Sequence, residues 1–467
     1  MTTTRENLRE STRPMTALVF EQFLSTPEIG AVFADAAIVQ GMLDFEAALA
    51  RAQALEGVIP ARVAPLIAQA CRVERFDLGA VVAASSVAGT LAIPLVKQLT
   101  AEVAKIDAEA AGYVHWGSTS QDVIDTAMAL ATKRAVALID TRLVDLIAAT
   151  CMLAERHRDA PMLGRTLLQP ALVISVGFKL VSWASPLLRC RERLAVAASN
   201  ALKLQLGGAV GTLSVMGDRG PAVAQRMAAD LQLGPAPGNW HTQRDEWVAL
   251  ACEVGVLCGT LGKVAKDISL LAQAEVGEVA EPSGGGRGGS SAMPHKRNPV
   301  ASMIALAAAM RAPHRVAALL STMPQEHERG LGNWQAELAE WPGLFMSAHG
   351  AVHAVADAVA GLAVDTARMR RNIDALQGLV FAEGVAMLLA AHIGKARAHA
   401  LLEACSQQAV AEQRPLLDVV LAMLAADDDL RSNVTPDALR AVFDADATAR
   451  RASALVQAQW DTIKKAL

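Results

Sequence analysis

From Gly117 to Pro161 the chain reads GSTSQDVIDTAMALATKRAVALIDTRLVDLIAATCMLAERHRDAP, with no glycine or proline between those two boundary residues. Alanine, leucine and other low-cost helix formers dominate the stretch. Thr119 with Asp122, or Ser118 with Gln121, resembles a capping box at its start, with Asp the less usual acid. A helix of roughly 35 residues here would extend about 50 Å at ~1.5 Å per residue. A helix of that length cannot bury its apolar face in a small monomer. No strict a/d heptad persists, so a coiled coil is the weaker reading. A bundle of long helices, completed by other subunits, fits better.

The rest of the chain extends this pattern. Upstream, 36–56 predicts an amphipathic helix through Met42, Phe45, Leu49 and Ala52, closed by Gly57 and Pro60. Downstream, long helical stretches are expected near 171–206 and 242–278, with a fourth beginning near Val300 and a fifth near Pro342. After about Asp365 the segments shorten, and Asp427-Asp428-Asp429 reads as a solvated turn. The expectation is an all-α chain of three domains: 1–113, a central long-helix bundle over 114–364, and 365–467. Composition agrees, since the 52% hydrophobic content is mostly Ala, Leu and Val and there is a single tyrosine, Tyr113.

A net charge of −4 with well-mixed signs argues against nucleic-acid binding. The six cysteines form no C-x-x-C pair, so neither a zinc site nor a disulfide framework is indicated. Met1 to Pro14 is polar without an apolar signal core, and there is no uninterrupted run of 18 or more strongly apolar, uncharged residues. No membrane association and a cytoplasmic location are therefore expected.

Chemistry concentrates in Ser283–Pro299, SGGGRGGSSAMPHKRNP. Five glycines in seven residues predict a mobile loop. Gly284, Gly286 and Gly289 satisfy G-x-G-x-x-G, but a helix precedes them and Pro294 follows, which is the wrong context for a dinucleotide. A Walker loop is excluded because Ser290 stands where its lysine belongs. Ser290, Ser291, Lys296 and Asn298 instead gather two hydroxyls, an ammonium and an amide within nine residues. Glycine-rich backbone can form an anion nest, to which Lys296 adds a full charge. Such a site suits a carboxylate whose α-carbon gains or loses a proton, because the resulting aci-carboxylate needs fixed donors at its oxygens. Loop closure would exclude water during that step. Spacing alone leaves a plain surface linker with a basic tail as the alternative.

The segment Gly289-Ser-Ser-Ala-Met-Pro-His-Lys-Arg-Asn298 resembles the signature of the fumarase/aspartase superfamily. His115 with Gly117-Ser-Thr-Ser-Gln-Asp122 resembles its first block. Gly207-Gly-Ala-Val-Gly-Thr212 and Thr242-Gln-Arg-Asp245 resemble its middle block. Within the superfamily, Met42–Ala50, Gly164-Arg-Thr-Leu-Leu-Gln169, Trp240–Asp245 and Gln325-Glu-His-Glu-Arg329 are most similar to the 3-carboxy-cis,cis-muconate cycloisomerase branch. Leu167 separates this branch from fumarases, argininosuccinate lyases and adenylosuccinate lyases, which generally carry histidine there. Thr90 is a further departure, since many relatives have asparagine.

The resemblance implies an intramolecular lyase of protocatechuate/β-ketoadipate catabolism that closes a lactone with no metal and no cofactor. It also implies a small polycarboxylate substrate and a homotetramer with shared active sites. Ser290, Lys296 and His115 are the implied catalytic residues. Thr119, Ser120, Gln121, Arg244, Ser291, Asn298 and Arg329 are the implied substrate-binding residues. Three blander readings stay open: an inter-helix hydrogen bond for His115, a pair with Asp245 or Glu246 for Arg244, and a surface ion pair for Arg329. The roles of His241 and His327 are open, and the other histidines outside matched blocks are read as structural. The rivals are a fumarate-releasing sister lyase and a non-catalytic paralogue. Leu167 speaks against the first, and the intact Ser290, Lys296 and Asn298 against the second. Ser290→Ala is expected to abolish turnover while leaving the oligomer intact, as read by activity assay and size-exclusion chromatography. Near-wild-type turnover would remove Ser290 from its role.

Overall fold

The computed structural model describes residues 19–467 except Gly285, Ser291 and Pro294. The expected binding residue Ser291 and the Met1–Pro14 segment thus lie outside the described residues. The unbroken 117–161 stretch forms a 37-residue helix, Ser120–Arg156. Thr119 precedes its first turn, and Asp122 accepts the Thr119 backbone N–H at 3.1 Å, which is one half of the expected capping box. The other long helices are Val176–Ala201, Asp245–Leu271, Val300–Ser321 and Asn333–Ala360. The upstream helix is Asp35–Leu55.

Two boundaries differ from expectation. Residues 171–175 are not helical: Pro161–Thr166 and Gln169–Ser175 pair as an antiparallel hairpin, and helix begins only at Val176. The run Ala171-Leu-Val-Ile-Ser175 is rich in β-branched residues and short enough to suit either period. Pro342 does not open the fifth helix but lies within it, nine residues after its start at Asn333. A two-residue strand, Val279–Ala280, also pairs with Ala363–Val364 just ahead of the glycine loop.

The chain forms two compact units, one of residues 1–143, 190–262 and 304–354, the other of 144–189, 263–303 and 355–467. In the first, three helices meet on an aromatic core. Trp247 stacks on Trp341 with centroids 4.0 Å apart, and Phe345 packs beside them. The buried Trp341 indole donates to Thr132 Oγ1 at 2.9 Å, so its N–H is satisfied. In the second unit the hairpin's Leu163 and Val173 pack with Ile373, Val380, Phe381 and Ala445. There Glu278 takes a two-pronged bond from Arg165 and a third from Asn372.

Asp245–Leu271 and Val300–Ser321 are long and apolar enough to cross a membrane by length and composition, although charged residues interrupt both sequences. In the first of these helices Trp247, Val248, Leu250, Ala251, Val254, Leu257, Cys258 and Leu261 are buried in the protein core.

Close approach of two helices depends on Gly262, where an added Cβ would lie 2.5 Å from the Ala309 methyl carbon. Gly262→Leu is expected to lower stability by about 1–3 kcal/mol through overpacking. A lowered chemical-denaturation midpoint checks it, and an unchanged midpoint would refute the tight contact.

Candidate active site

The first unit builds its polar centre on Asp122, which the helix places at its third residue on the buried face. Asp122 Oδ1 accepts Gly207 N–H at 2.9 Å and His241 Nε2 at 2.7 Å. Its Oδ2 accepts Gly208 N–H at 2.9 Å and Thr119 N–H at 3.1 Å. Gly208 has φ +68°, and a Cβ there would press on the Gly117 carbonyl, so only glycine suits this crossing. One buried carboxylate thereby fastens the 117–119 turn, the 207–208 loop and the 241 segment together.

His115 stands at the rim of this centre with φ +60°, an uncommon conformation for a side-chain-bearing residue. Its Nδ1 lies 2.6 Å from Glu46 Oε1 and 2.9 Å from Ser118 Oγ. Burial opposes a charged ring, but the charge and hydrogen bond of Glu46, with the charge of Asp122, outweigh it and lift His115 above the usual imidazole range. Arg329 is exposed and reaches Thr119 Oγ1 and the Ala209 carbonyl, each at 3.0 Å. It bonds this centre rather than a neighbouring glutamate. Ser120 is half-buried in the first helical turn. Gln121 is fully buried and donates to the His241 carbonyl at 2.9 Å and to Asp125 at 3.2 Å.

Arg244 is also fully enclosed. It bonds Asp125 with two nitrogens, at 2.9 and 3.3 Å, and Glu337 with two more contacts, one of them at 3.0 Å. Its partners are not the adjacent Asp245 or Glu246. The plane also lies over the Trp240 ring, 4.5 Å from its centroid. Burial opposes the Arg244 charge, yet Asp125 and Glu337 raise its proton affinity further. On the other side, burial pushes the Glu337 carboxyl up and Arg244 draws it only part of the way back.

The second unit carries the glycine loop. Glu281 accepts the N–H groups of Ala301 and Ser302 at the start of the Val300–Ser321 helix, tying the loop's entry to its exit. Asn298 N–H donates to the Gly288 carbonyl at 2.8 Å, and its side chain donates to Gly289 at 3.4 Å. Ser290 Oγ accepts N–H bonds from Met293 at 3.1 Å and Ala292 at 3.4 Å. These donors are what a serine alkoxide requires. Lys296 and His295 are exposed on the same loop. In the hairpin, Thr166 pairs with Gln169, so Leu167 and Leu168 form a two-residue turn. Both have positive φ, 51° and 67°, and they are 96% and 73% exposed. Such turns favour Asn and Gly, so two solvent-facing leucines there are strained.

A lyase family pattern matches residues 23–313, and one described as adenylosuccinate lyase C-terminus matches 378–458. The chain belongs to the fumarase/aspartase lyase superfamily. It is 46% identical to a 3-carboxy-cis,cis-muconate cycloisomerase of Bradyrhizobium diazoefficiens, covering 95% of this chain and 97% of that one. A nitrosuccinate lyase of Streptomyces davaonensis is 38% identical over 92% of this chain and 93% of the relative. The crystal structure of the 3-carboxy-cis,cis-muconate lactonizing enzyme from Pseudomonas putida superposes with a TM-score of 0.89 at 41% identity, covering 96% of this chain and 99% of that one.

In this superfamily member, sequence reasoning passed over Glu46, Asp125, Glu337 and Trp334, the last donating to Asp125 at 2.9 Å. It quoted Asp122 as a possible cap and as the end of the first matched block, without a role at the site. A usable signal was present: Asp122, Asp125, Thr126 and Thr132 lie at helical spacing on a face that is otherwise apolar, and all four are buried. Arg244→Met strands Asp125 and Glu337 and is expected to cost about 3–5 kcal/mol at neutral pH. The deficit should shrink as pH falls. In the variant the buried carboxyl binds its proton at a pH where the unfolded chain has already released it, so stability falls as pH rises. Denaturation across the acidic to neutral range checks this, and a pH-independent deficit would refute it.

Proposed function

We propose that the chain catalyses cycloisomerisation of 3-carboxy-cis,cis-muconate to a carboxymuconolactone in the catabolism of aromatic compounds. The observation that carries this reading is the 46% identity to a cycloisomerase along almost the whole of both chains. The hairpin turn supports it. Leu167 can neither shuttle a proton nor hold an anion, so the fumarate-releasing machinery lacks the histidine that sister lyases generally place there.

In the proposed reaction one substrate carboxylate attacks the conjugated double bond of the same molecule. A C–O bond forms, and the π electrons move into a neighbouring carboxylate as an aci-carboxylate. Ser290 Oγ then gives its proton to the adjacent carbon, and the alkoxide left behind is held by the Met293 and Ala292 N–H groups until solvent restores the proton. The trianion plus one proton thus becomes a lactone dianion. Nucleophile and electrophile share one molecule, so the protein enforces a reactive conformer and stabilises charge, and the step itself calls for neither metal nor cofactor.

Lys296 and Arg329 are the exposed cations we assign to the carboxylates, with Thr119, Ser120, Ser291 and Asn298 as neutral donors and His115 as a third positive group. Arg244 and Gln121 receive a different role from the expected one. Both are enclosed by their own partners, so we assign them to fastening the start of the Ser120–Arg156 helix to the 240–241 segment and to Glu337 rather than to touching substrate. A homotetramer with shared sites is part of the proposal. It is supported by Met303, Met310 and Leu320, which the apolar Val300–Ser321 helix leaves exposed.

A metal-free assay with 3-carboxy-cis,cis-muconate should show loss of conjugated-diene absorbance and a lactone by NMR. A folded protein that leaves the diene intact but releases fumarate from a succinyl-type substrate would move the assignment to a sister lyase.

A further inference from the structure

The His115 side chain is oriented by a residue that the reaction itself does not name. Glu46 lies mid-helix in Asp35–Leu55, in a run where Met42, Phe45 and Leu49 are buried. A glutamate on such a face costs free energy unless it is partnered. Its Oε1 is 2.6 Å from His115 Nδ1, while Oε2 is buried with no hydrogen-bond partner. The carboxylate is therefore committed to one ring nitrogen. Ser118 Oγ falls on that same nitrogen at 2.9 Å. Both contacts lie on Nδ1, which leaves Nε2 as the nitrogen able to meet a ligand, and the ring is partly exposed. The left-handed backbone at His115 and the chain reversal at Gly117, φ +72°, deliver the ring to Glu46.

We propose that Glu46 is a positioning residue for turnover: it accepts Nδ1–H from His115, fixes the ring's orientation and presents Nε2–H to a substrate carboxylate. The proposal rests on the cycloisomerase reading for its substrate, but the Glu46–His115 geometry stands without it. The charged and titratable groups around the ring are few. Glu46 faces it from the Asp35–Leu55 helix and Asp122 from the Ser120–Arg156 helix, with Ser118 as the neutral neighbour. Behind Glu46 lies the Cys71 thiol, pushed up first by burial and then by Glu46, and it carries no charge to compete for the carboxylate. Behind Asp122 lies His241, which donates to Asp122. Among the described residues the two carboxylates are the charges that act on the ring, and they favour its protonated form, whose proton is lost as pH rises.

The test uses Glu46→Gln, Glu46→Asp, His115→Gln and the Glu46→Gln/His115→Gln double variant of the full-length protein. With 15N-labelled histidine, the His115 signal is assigned by its absence in His115→Gln. In the wild type it should report Nδ1–H donation. In Glu46→Gln it should titrate at lower pH and change its tautomer balance. This arm needs no substrate, so it is decided even if muconate is not turned over. In the assay, Glu46→Gln should lower kcat/KM by about 10–100-fold and move the alkaline limb of the pH profile to lower pH. Glu46→Asp should recover part of the loss. The double variant should be no slower than His115→Gln alone, because Glu46 acts through the ring.

An unchanged His115 titration in Glu46→Gln overturns the proposal. So does a kcat/KM within twofold of wild type despite a changed titration, or a double variant whose losses multiply. Absence of muconate turnover in the wild type, with the His115 titration shifting as expected, refutes the substrate assignment and upholds the Glu46–His115 coupling.

Discussion

A carboxylate buried with four N–H donors around it makes the local chain path obligatory, and Asp122 is such a carboxylate. Its donors come from the turn before a 37-residue helix, from a glycine pair some 85 positions away in the sequence, and from His241. Each contact satisfies a group that would otherwise be stranded in the interior, where an unpaired donor costs more than a hydrogen bond gains. Removing the carboxylate would release three segments at once. The turn that exposes His115 and Thr119 exists because Asp122 closes it.

Charge in the first unit is divided by depth. The deepest cation, Arg244, is matched by Asp125 and Glu337 and covered by Trp240, so its charge is spent inside the protein and organises the helix packing. Among the described residues the exposed Arg329 bonds neutral oxygens, from Thr119 and Ala209, and so keeps a full charge for an anion. His115 stands between these cases, with one nitrogen fixed inward and the other outward. The glycine loop of the second unit follows the same logic with backbone groups: Asn298 and Glu281 pin its ends, and Ser290 lies under two N–H donors.

The long helices were legible because their low-cost residues run without a break, and the glycine loop because its composition excludes regular structure. The hairpin was not legible. Its turn is made by Leu167 and Leu168, which carry no turn chemistry, and its second strand fits a helical run equally well. Pro342 looked like a helix start, but helix already surrounds it. For the site, the motif blocks placed His115, Thr119, Ser290 and Arg329 at polar, accessible positions. The partners that shape His115 and Arg244 lie far from them in sequence, Glu46 being 69 positions from His115, and Asp125 and Glu337 being 119 and 93 positions from Arg244, and one chain read linearly gives no pairing information. Arg244 shows the consequence: residue type suggested a substrate cation, and only the fold reveals two carboxylates already enclosing it.

The central claim is a proton delivered to carbon by one fixed group during an intramolecular addition. Turnover of 3-carboxy-cis,cis-muconate in D2O, followed by NMR of the lactone, tests it most directly. One deuteron at the carbon beside the acceptor carboxylate, on a single face, is the expected result. A lactone with deuterium scrambled over both faces, or with none at that carbon, would contradict it.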